Sequence, residues 1–297
     1  MKCVAVIVTY HPEWAIFEQL LSTLKKQVDA LVIVDNGTDE TLQDRLQDEH
    51  ICFLSMGSNK GIAAAQNAGI QLAQKMRASH VLLMDQDSIP EPDMVAQLIS
   101  AMEILPNLAC VGPYYFDNRQ QNDLSPFIRI RGLRRYRCAC SLENAIVPVD
   151  HLIASGCLIP MHVIEKIGNM REDLFIDYVD TEWGLRAHYN GLQSYGVCLA
   201  RMQHRHGEEP LKYFGRIIRQ YSPLRHYYVF RNAVLLYRES WIPLHWKLVD
   251  IFYLISKYIF YSLFTHLKLT HFKMMTRGLW HGLTLSRKNS SKLFQKT

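Results

Sequence analysis

No stretch of this 297-residue chain approaches the about 20 consecutive apolar residues that a membrane-spanning helix requires. The amino terminus does not read as a secretory leader: one basic residue, Lys2, precedes a short apolar run, Val4 to Val8, which Thr9-Tyr10-His11-Pro12 ends. That run reads as a first buried strand. Cysteine is scarce and unpatterned. The seven residues are odd in number and include no Cys-x-x-Cys pair, so reduced thiols in a reducing cytoplasm are the expectation. A zinc site built from Cys138, Cys140 and the histidines near 205 fits no usual ligand spacing. Internal repeats and low-complexity tracts are absent.

The last part of the chain lacks acid. From residue 211 onward, 15 Lys/Arg stand against 2 Asp/Glu, a net of +13, whereas residues 1 to 210 carry a net of −8. Such a division calls for an anionic partner, either a membrane face or nucleic acid. An acidic, metal-suited front half argues against nucleic acid as the substrate.

The length is enough to bury a core without disulfides or structural metal. Val4 to Val8, Ala30 to Val34, Ile51 to Leu54 and His80 to Met84 are short runs rich in Val, Ile and Leu and read as strands. Between them, Trp14 to Lys26, Glu40 to Asp48, Ile62 to Met76 and Asp93 to Ile104 read as helices. Apolar strands alternating with helices predict an α/β three-layer architecture around a mostly parallel sheet. Each strand ends in polar, turn-forming residues: Thr9-Tyr10, Asp35-Asn36-Gly37, Ser58-Asn59-Lys60-Gly61 and Asp85-Gln86-Asp87. Any one of these is ordinary turn chemistry, but four along the same sheet edge make a ligand site. Residues 117 to 144 lose periodicity and read as a loop, after which Ala145 to Val149, Leu152 to Ile159 and a helix near Met161 to Ile167 restore order.

Taken in order, these segments resemble the family-2 glycosyltransferases of the GT-A fold, and within them the bacterial L-rhamnosyltransferases. The resemblance runs through Val6-Ile7-Val8-Thr9-Tyr10, Val34-Asp35-Asn36-Gly37, Asn59-Lys60-Gly61-Ile62, Asp85-Gln86-Asp87 and Ala154-Ser155-Gly156. It continues through Phe175-Ile176-Asp177-Tyr178-Val179-Asp180-Thr181-Glu182-Trp183 and Tyr227-Tyr228-Val229-Phe230-Arg231-Asn232, and covers about residues 1 to 240. The last two segments carry the rhamnosyl subgroup. It implies a catalytic domain over residues 1 to 210, with a nucleotide-sugar half (1 to 116) and an acceptor half (145 to 210). Residues 211 to 297 then form a basic, aromatic helical extension.

Sugar transfer from a nucleoside diphosphate creates an anionic leaving group, which a hard divalent cation stabilises. Asp85 and Asp87, two apart after an apolar strand, supply oxygen ligands suited to Mg²⁺ or Mn²⁺. The resemblance makes Asp87 the more direct ligand and Asp85 the neighbour of ribose and phosphate. It puts Thr9, Tyr10 and Asp35 around the base, and Asn36, Asn59, Gly61 and Asn67 close to the nucleotide. Asn59 and Gly61 as simple helix caps are the bland alternative. Asp180 is the family-matched base, with Asp177 and Glu182 as rivals and a helix-capping role as the plain alternative. Either His204 or His206 approaches the metal or diphosphate, His206 being the choice here. Arg225 and Arg231 either hold phosphates or pair with carboxylates of the front half.

After Trp241, aromatic and aliphatic residues alternate with cations, the composition of helices that lie on an anionic membrane surface. Packing on the enzyme or in a homodimer is the alternative. The expectation is therefore an inverting enzyme, peripheral on the cytoplasmic face of the membrane, that moves L-rhamnose from dTDP-L-rhamnose to a lipid-linked saccharide. Transfer of another sugar by the same fold, a nucleotidyltransferase and a non-catalytic binding module are the competing readings.

Overall fold

The computed structural model describes residues 1–37, 42–46, 48–117, 127–141, 145–204, 211–213, 216–218 and 221–285. The first half runs β1 (Cys3–Thr9), α1 (Trp14–Leu24), β2 (Ala30–Asp35), α2 (Leu42–Arg45), β3 (Ile51–Ser55), α3 (Ile62–Lys75), β4 (His80–Asp85), β5 (Ser88–Pro90) and α4 (Met94–Met102). Then come β6 (Leu108–Phe116), β7 (Ile128–Arg131), β8 (Arg134–Arg137), β9 (Ile146–Val149), β10 (Cys157–Pro160), α5 (Met161–Ile167), α6 (Val179–Tyr189) and β11 (Gln193–His204). The chain closes with β12 (Leu211–Tyr213), β13 (Arg216–Ile218), α7 (Pro223–Tyr237), α8 (Leu244–Leu263) and α9 (Lys268–Thr284). Two compact units result. One comprises Met1–Arg129, Tyr136–Glu172 and Asp180–Arg205, the other Ile130–Arg135, Asp173–Val179 and His206–Thr297.

The first unit is built on a sheet of order β3-β2-β1-β4-β10-β6-β11-β5, with β9 paired to β11. β3, β2, β1 and β4 are mutually parallel, whereas β10 runs antiparallel to β4 and β6. Alternate residues of the parallel strands face two layers of helix. Ala5, Ile7, Leu31 and Ile33 pack with Phe17 and Leu20 of α1 and with Met94 and Leu98 of α4. On the other face α3 lies close because Gly69 has no side chain: a Cβ there would stand 2.3 Å from Val6 Cγ1. This is the expected α/β layering of the GT-A fold.

Several expectations are corrected. The helix expected over 40 to 48 is the single turn α2, with 38–41 and 47 outside the described residues. β6 fills the gap left between residues 104 and 117, and the expected loop contains the β7–β8 hairpin, which turns at Gly132 with φ +57°. Cys140 and Cys198 form a disulfide, so reduced thiols do not describe the whole chain. The cause lies in the sheet: Cys198 N donates to Ala145 O at 2.8 Å, which lays the segment before β9 along β11.

In the second unit α7 and α9 pack through Gly278 and Gly282. A Cβ on Gly278 would stand 2.4 Å from Tyr227 O, and one on Gly282 2.7 Å from Val234 Cβ. Val229, Phe230, Ala233, Leu254, Tyr261 and Met275 form the core between the three helices. Among the described residues no helix is long and apolar enough to cross a membrane.

Candidate active site

Parallel register brings the strand ends together. Thr9 lies beside Asp35, and Val8 beside Asp85. Thr9 and Asp35 are buried, with Thr9 Oγ1 3.5 Å from the Asp35 carboxylate. The loop after β2 is clipped to the start of α3: Asn36 Nδ2 donates to Asn59 Oδ1 at 3.1 Å, and Lys60 N to Asn36 Oδ1 at 2.9 Å. Asn59 Oδ1 also accepts from Gly61 N at 3.0 Å. Gly61 has φ +88°, a conformation that glycine adopts without strain, and it lets the backbone enter α3 at this turn. Asn36, Asn59 and Gly61 thus shape the turn that enters α3.

Asn67 and Gln86 both tie separate segments together. Asn67 donates to Met170 O at 2.9 Å and to Glu172 Oε1 at 2.8 Å, and accepts from Met170 N at 2.9 Å, so its buried amide fastens residues 170–172 to α3. Gln86, the middle residue of the acidic triplet, exchanges two hydrogen bonds with the Tyr10 backbone, at 2.7 and 2.9 Å. It clamps the exit of β1 to the turn after β4, and leaves the Tyr10 ring half exposed.

Asp85, Asp87 and His204 bring ligand atoms within 4.8 Å of one another. Two carboxylates and an imidazole in that space fit a divalent cation of the Mg²⁺ or Mn²⁺ type. His204 belongs to this cluster because β11 pairs with β5, setting His204 opposite Ser88. His206 lies outside the described residues. Beneath the cluster is a chain of hydroxyls that the sequence did not reveal. Asp85 N donates to Ser155 Oγ at 3.1 Å, Ser155 Oγ to Ser88 Oγ at 2.7 Å, and Ser88 Oγ meets His204 Nδ1 at 2.7 Å. His204 Nδ1 also stands 3.5 Å from Asp87 Oδ1. Only the small residues of Ala154-Ser155-Gly156, just before an apolar strand, hinted at this support.

Asp180 lies in the first turn of α6, where its Oδ1 accepts from Thr181 N at 2.8 Å. It lines a small cavity together with Gln66, Leu83, Ala154, Cys157 and Trp183. The Gln66 side chain is buried and its Oε1 has no hydrogen-bond partner among the described residues. In the cavity wall, the hydrogen bond with Cys110 and burial push the Cys157 thiol up, with the Asp180 charge adding to both. The two rival carboxylates are held by guanidinium groups. Glu182 is buried and forms a two-point pair with Arg186 at 3.0 and 2.9 Å. Asp177 accepts from Arg225 at 3.1 to 3.2 Å. Arg225 and Arg231 are therefore engaged with protein groups, and Arg231 is 1% exposed. Trp183 is a buried wall residue whose Nε1 donates to Gly168 O at 3.0 Å.

With this geometry in hand, the chain can be set beside known proteins. A family model described as Glycosyl transferase family 2 matches residues 5–164. The dTDP-rhamnosyl transferase RfbF of Shigella flexneri is 37% identical over 243 residues, 81% of this chain and 81% of that protein. Among solved structures, GalNAc-T7 with UDP, GalNAc and Mn²⁺ superposes with a TM-score of 0.60 at 12% identity, over 99% of this chain and 58% of that one. The mannosyltransferase PcManGT of Pyrobaculum calidifontis, in complex with GDP-Man and Mn²⁺, gives 0.58 at 13% identity, over 98% and 78%. At these identities the structural likenesses establish the fold.

Proposed function

Because the chain belongs to glycosyl transferase family 2 and is a glycosyltransferase, we propose that it transfers L-rhamnose from dTDP-L-rhamnose to a hydroxyl of a lipid-linked glycan, inverting the anomeric carbon. The observation that carries the mechanism is the cavity lined by Asp180. Its walls include Ala154, next in sequence to the Ser155 that accepts from Asp85 N, and Leu83, two residues before Asp85. In this reading the sugar of a donor whose diphosphate sits at that cluster lies toward Asp180.

In this reading Asp35, buried at the end of β2, accepts from the imide N–H of a pyrimidine. The amides at the start of α3 face the diphosphate. A Mg²⁺ or Mn²⁺ ion held by Asp87, Asp85 and His204 would neutralise charge on the departing dTDP. Asp180 takes the proton from the acceptor hydroxyl as its oxygen attacks the anomeric carbon and the bond to the phosphate oxygen breaks. Gln66 Oε1, a buried oxygen without a partner among the described residues, accepts from a sugar hydroxyl in this reading.

The division of labour follows residues 1 to 210 for donor and chemistry and 211 to 297 for holding the enzyme at the cytoplasmic face of the membrane, where a lipid-linked acceptor is presented. The relative's action on dTDP-rhamnose supports the donor. A donor panel scored by metal-dependent nucleotide release, with lipid-linked glycans as acceptors, tests it. Transfer from dTDP-L-rhamnose is the expected result. Efficient transfer from a UDP-hexose, with dTDP-L-rhamnose unused, would reject the donor and spare the fold.

A further inference from the structure

Helix α8 is amphipathic in the inverted sense: none of its Lys and Asp residues is on the exposed face, and all of them contact protein groups. Lys247 donates to Glu239 O at 2.6 Å. Asp250 accepts from the Tyr178 and Tyr237 hydroxyls at 2.8 and 2.6 Å. Lys257 stands over the Tyr221 ring at 5.7 Å. Outward, Leu244, Leu248, Phe252, Ile255, Ile259 and Leu263 recur at intervals of three and four residues and form one stripe, with Leu244 70%, Phe252 68% and Leu263 61% exposed. An exposed stripe of this length marks an interaction surface, since monomers rarely leave so much contiguous apolar area in water.

α9 extends the surface. Leu269, Phe272, Trp280 and Leu283 are exposed along one side of it. That side adjoins α8, because Tyr258 Oη meets Thr276 Oγ1 at 2.8 Å and the Tyr258 and Phe272 rings lie 5.8 Å apart. On the helical wheel Lys268 flanks this stripe on one side, Lys273 and Arg277 on the other, and all three are exposed.

We propose that the outward stripe of α8, with the flanking cations of α9, is a bilayer-docking face that lies flat in the interface of an anionic membrane. The occupant follows from charge. The segment from residue 211 has a net of +13, so two copies meeting through this face would oppose like charges, whereas an anionic lipid surface complements them. Uncharged side chains enter the acyl boundary while lysine and arginine remain at headgroup level. The inference deepens the lipid-linked acceptor reading, but it names a face of its own and can fail independently of the donor.

The full chain should float with vesicles of phosphatidylglycerol and phosphatidylcholine at low salt and bind pure phosphatidylcholine much more weakly. Rising salt should weaken binding without abolishing it, because the apolar term is unscreened. Phe252→Glu/Ile255→Glu/Ile259→Glu should lower vesicle affinity at least about tenfold with the unfolding temperature little changed, since these residues bury little in the protein. Lys273→Glu/Arg277→Glu should bind at low salt as the wild type does at high salt. Full-length protein that ignores anionic vesicles at low salt, or a triple variant that floats like wild type, would overturn the proposal. A stable dimer that the triple variant dissociates would transfer the face to a second copy. Calorimetry with dTDP reports separately on the donor reading, and its failure would leave the vesicle result standing.

Discussion

The Arg231 guanidinium, buried in α7, donates to the backbone carbonyl of Leu174 at 2.9 Å, and to that of Asp173 at 2.7 Å. Beside it, Asn232 donates to the carbonyls of Leu174, Ile176 and Asp177 at 2.8 to 2.9 Å, and its own oxygen accepts from Arg231. These two side chains hold a segment in which Phe175, Asp177 and Tyr178 have φ of +65°, +62° and +63°. Left-handed backbone costs about 1 to 2 kcal/mol for each such residue, so the hydrogen bonds offset a strain of several kcal/mol. The strained segment leads directly into Asp180. Asn232→Ala strips three carbonyls of a partner and should lower stability by about 3 kcal/mol, read by denaturant unfolding. Arg231→Lys, which cannot reach both carbonyls in the same planar geometry, should lower it less. A wild-type midpoint in both variants would refute the role given to this latch.

Asp180→Asn should leave the fold and dTDP affinity intact and lower turnover by a factor on the order of 10² to 10⁴, the usual loss of a positioned base. Asp177→Asn should act differently, through the lost pair with Arg225. If Asp177→Asn abolished turnover with stability unchanged while Asp180→Asn stayed active, the base would have to be reassigned.

Nucleotide-sugar binding should require Mg²⁺ or Mn²⁺, and Asp87→Ala should remove that dependence together with activity. Ser88→Ala interrupts the hydroxyl chain between Ser155 and His204 without removing a ligand. It should weaken metal affinity about 10-fold or more, as loss of groups that orient ligands commonly does. Calorimetry with and without chelator decides both; equal donor affinity in the two conditions would sink the metal site.

His226 is fully buried beside His271, their Nδ1 atoms 2.8 Å apart, with Tyr261, Lys257 and Arg225 around it. Burial first, and then its cationic neighbours, push it down from 6.5 to about 3. The folded state therefore binds fewer protons than the unfolded state below pH 6.5. Stability is fully present above that value and is lost as pH falls toward 3, by about 2 kcal/mol at pH 5 for this one group. Thermal unfolding of the wild type and of His226→Gln across this range measures it; parallel pH dependences would exclude His226 as the source.

Gly278→Val places carbon atoms where the Tyr227 carbonyl already stands. Overpacking of this kind costs about 1 to 3 kcal/mol. Thermal unfolding should register it, and an unchanged midpoint would mean that α7 and α9 do not meet as described.

The sequence by itself determined the layered sheet, because residues such as Ala5, Ile7, Leu31 and Ile33 alternate with valines that need a second apolar layer. It also marked Thr9, Asp35 and Asp85 as strand ends, and the family follows from their order along the chain. What lies far apart in sequence was decided only by tertiary structure. His204 joins Asp85 and Asp87 because β11 returns antiparallel to β5, a pairing 116 residues distant that no local pattern encodes. Nor did composition separate Asp180 from Asp177 and Glu182: all three are carboxylates within one short segment, and only the tertiary structure pairs Asp177 with Arg225 and Glu182 with Arg186. Arg225 and Arg231, open in sequence to either phosphate or protein, meet different surroundings: Arg225 pairs with Asp177, whereas Arg231 is buried. A guanidinium enclosed in a helical core must satisfy its donors there, and the nearest acceptors are the carbonyls of a strained turn.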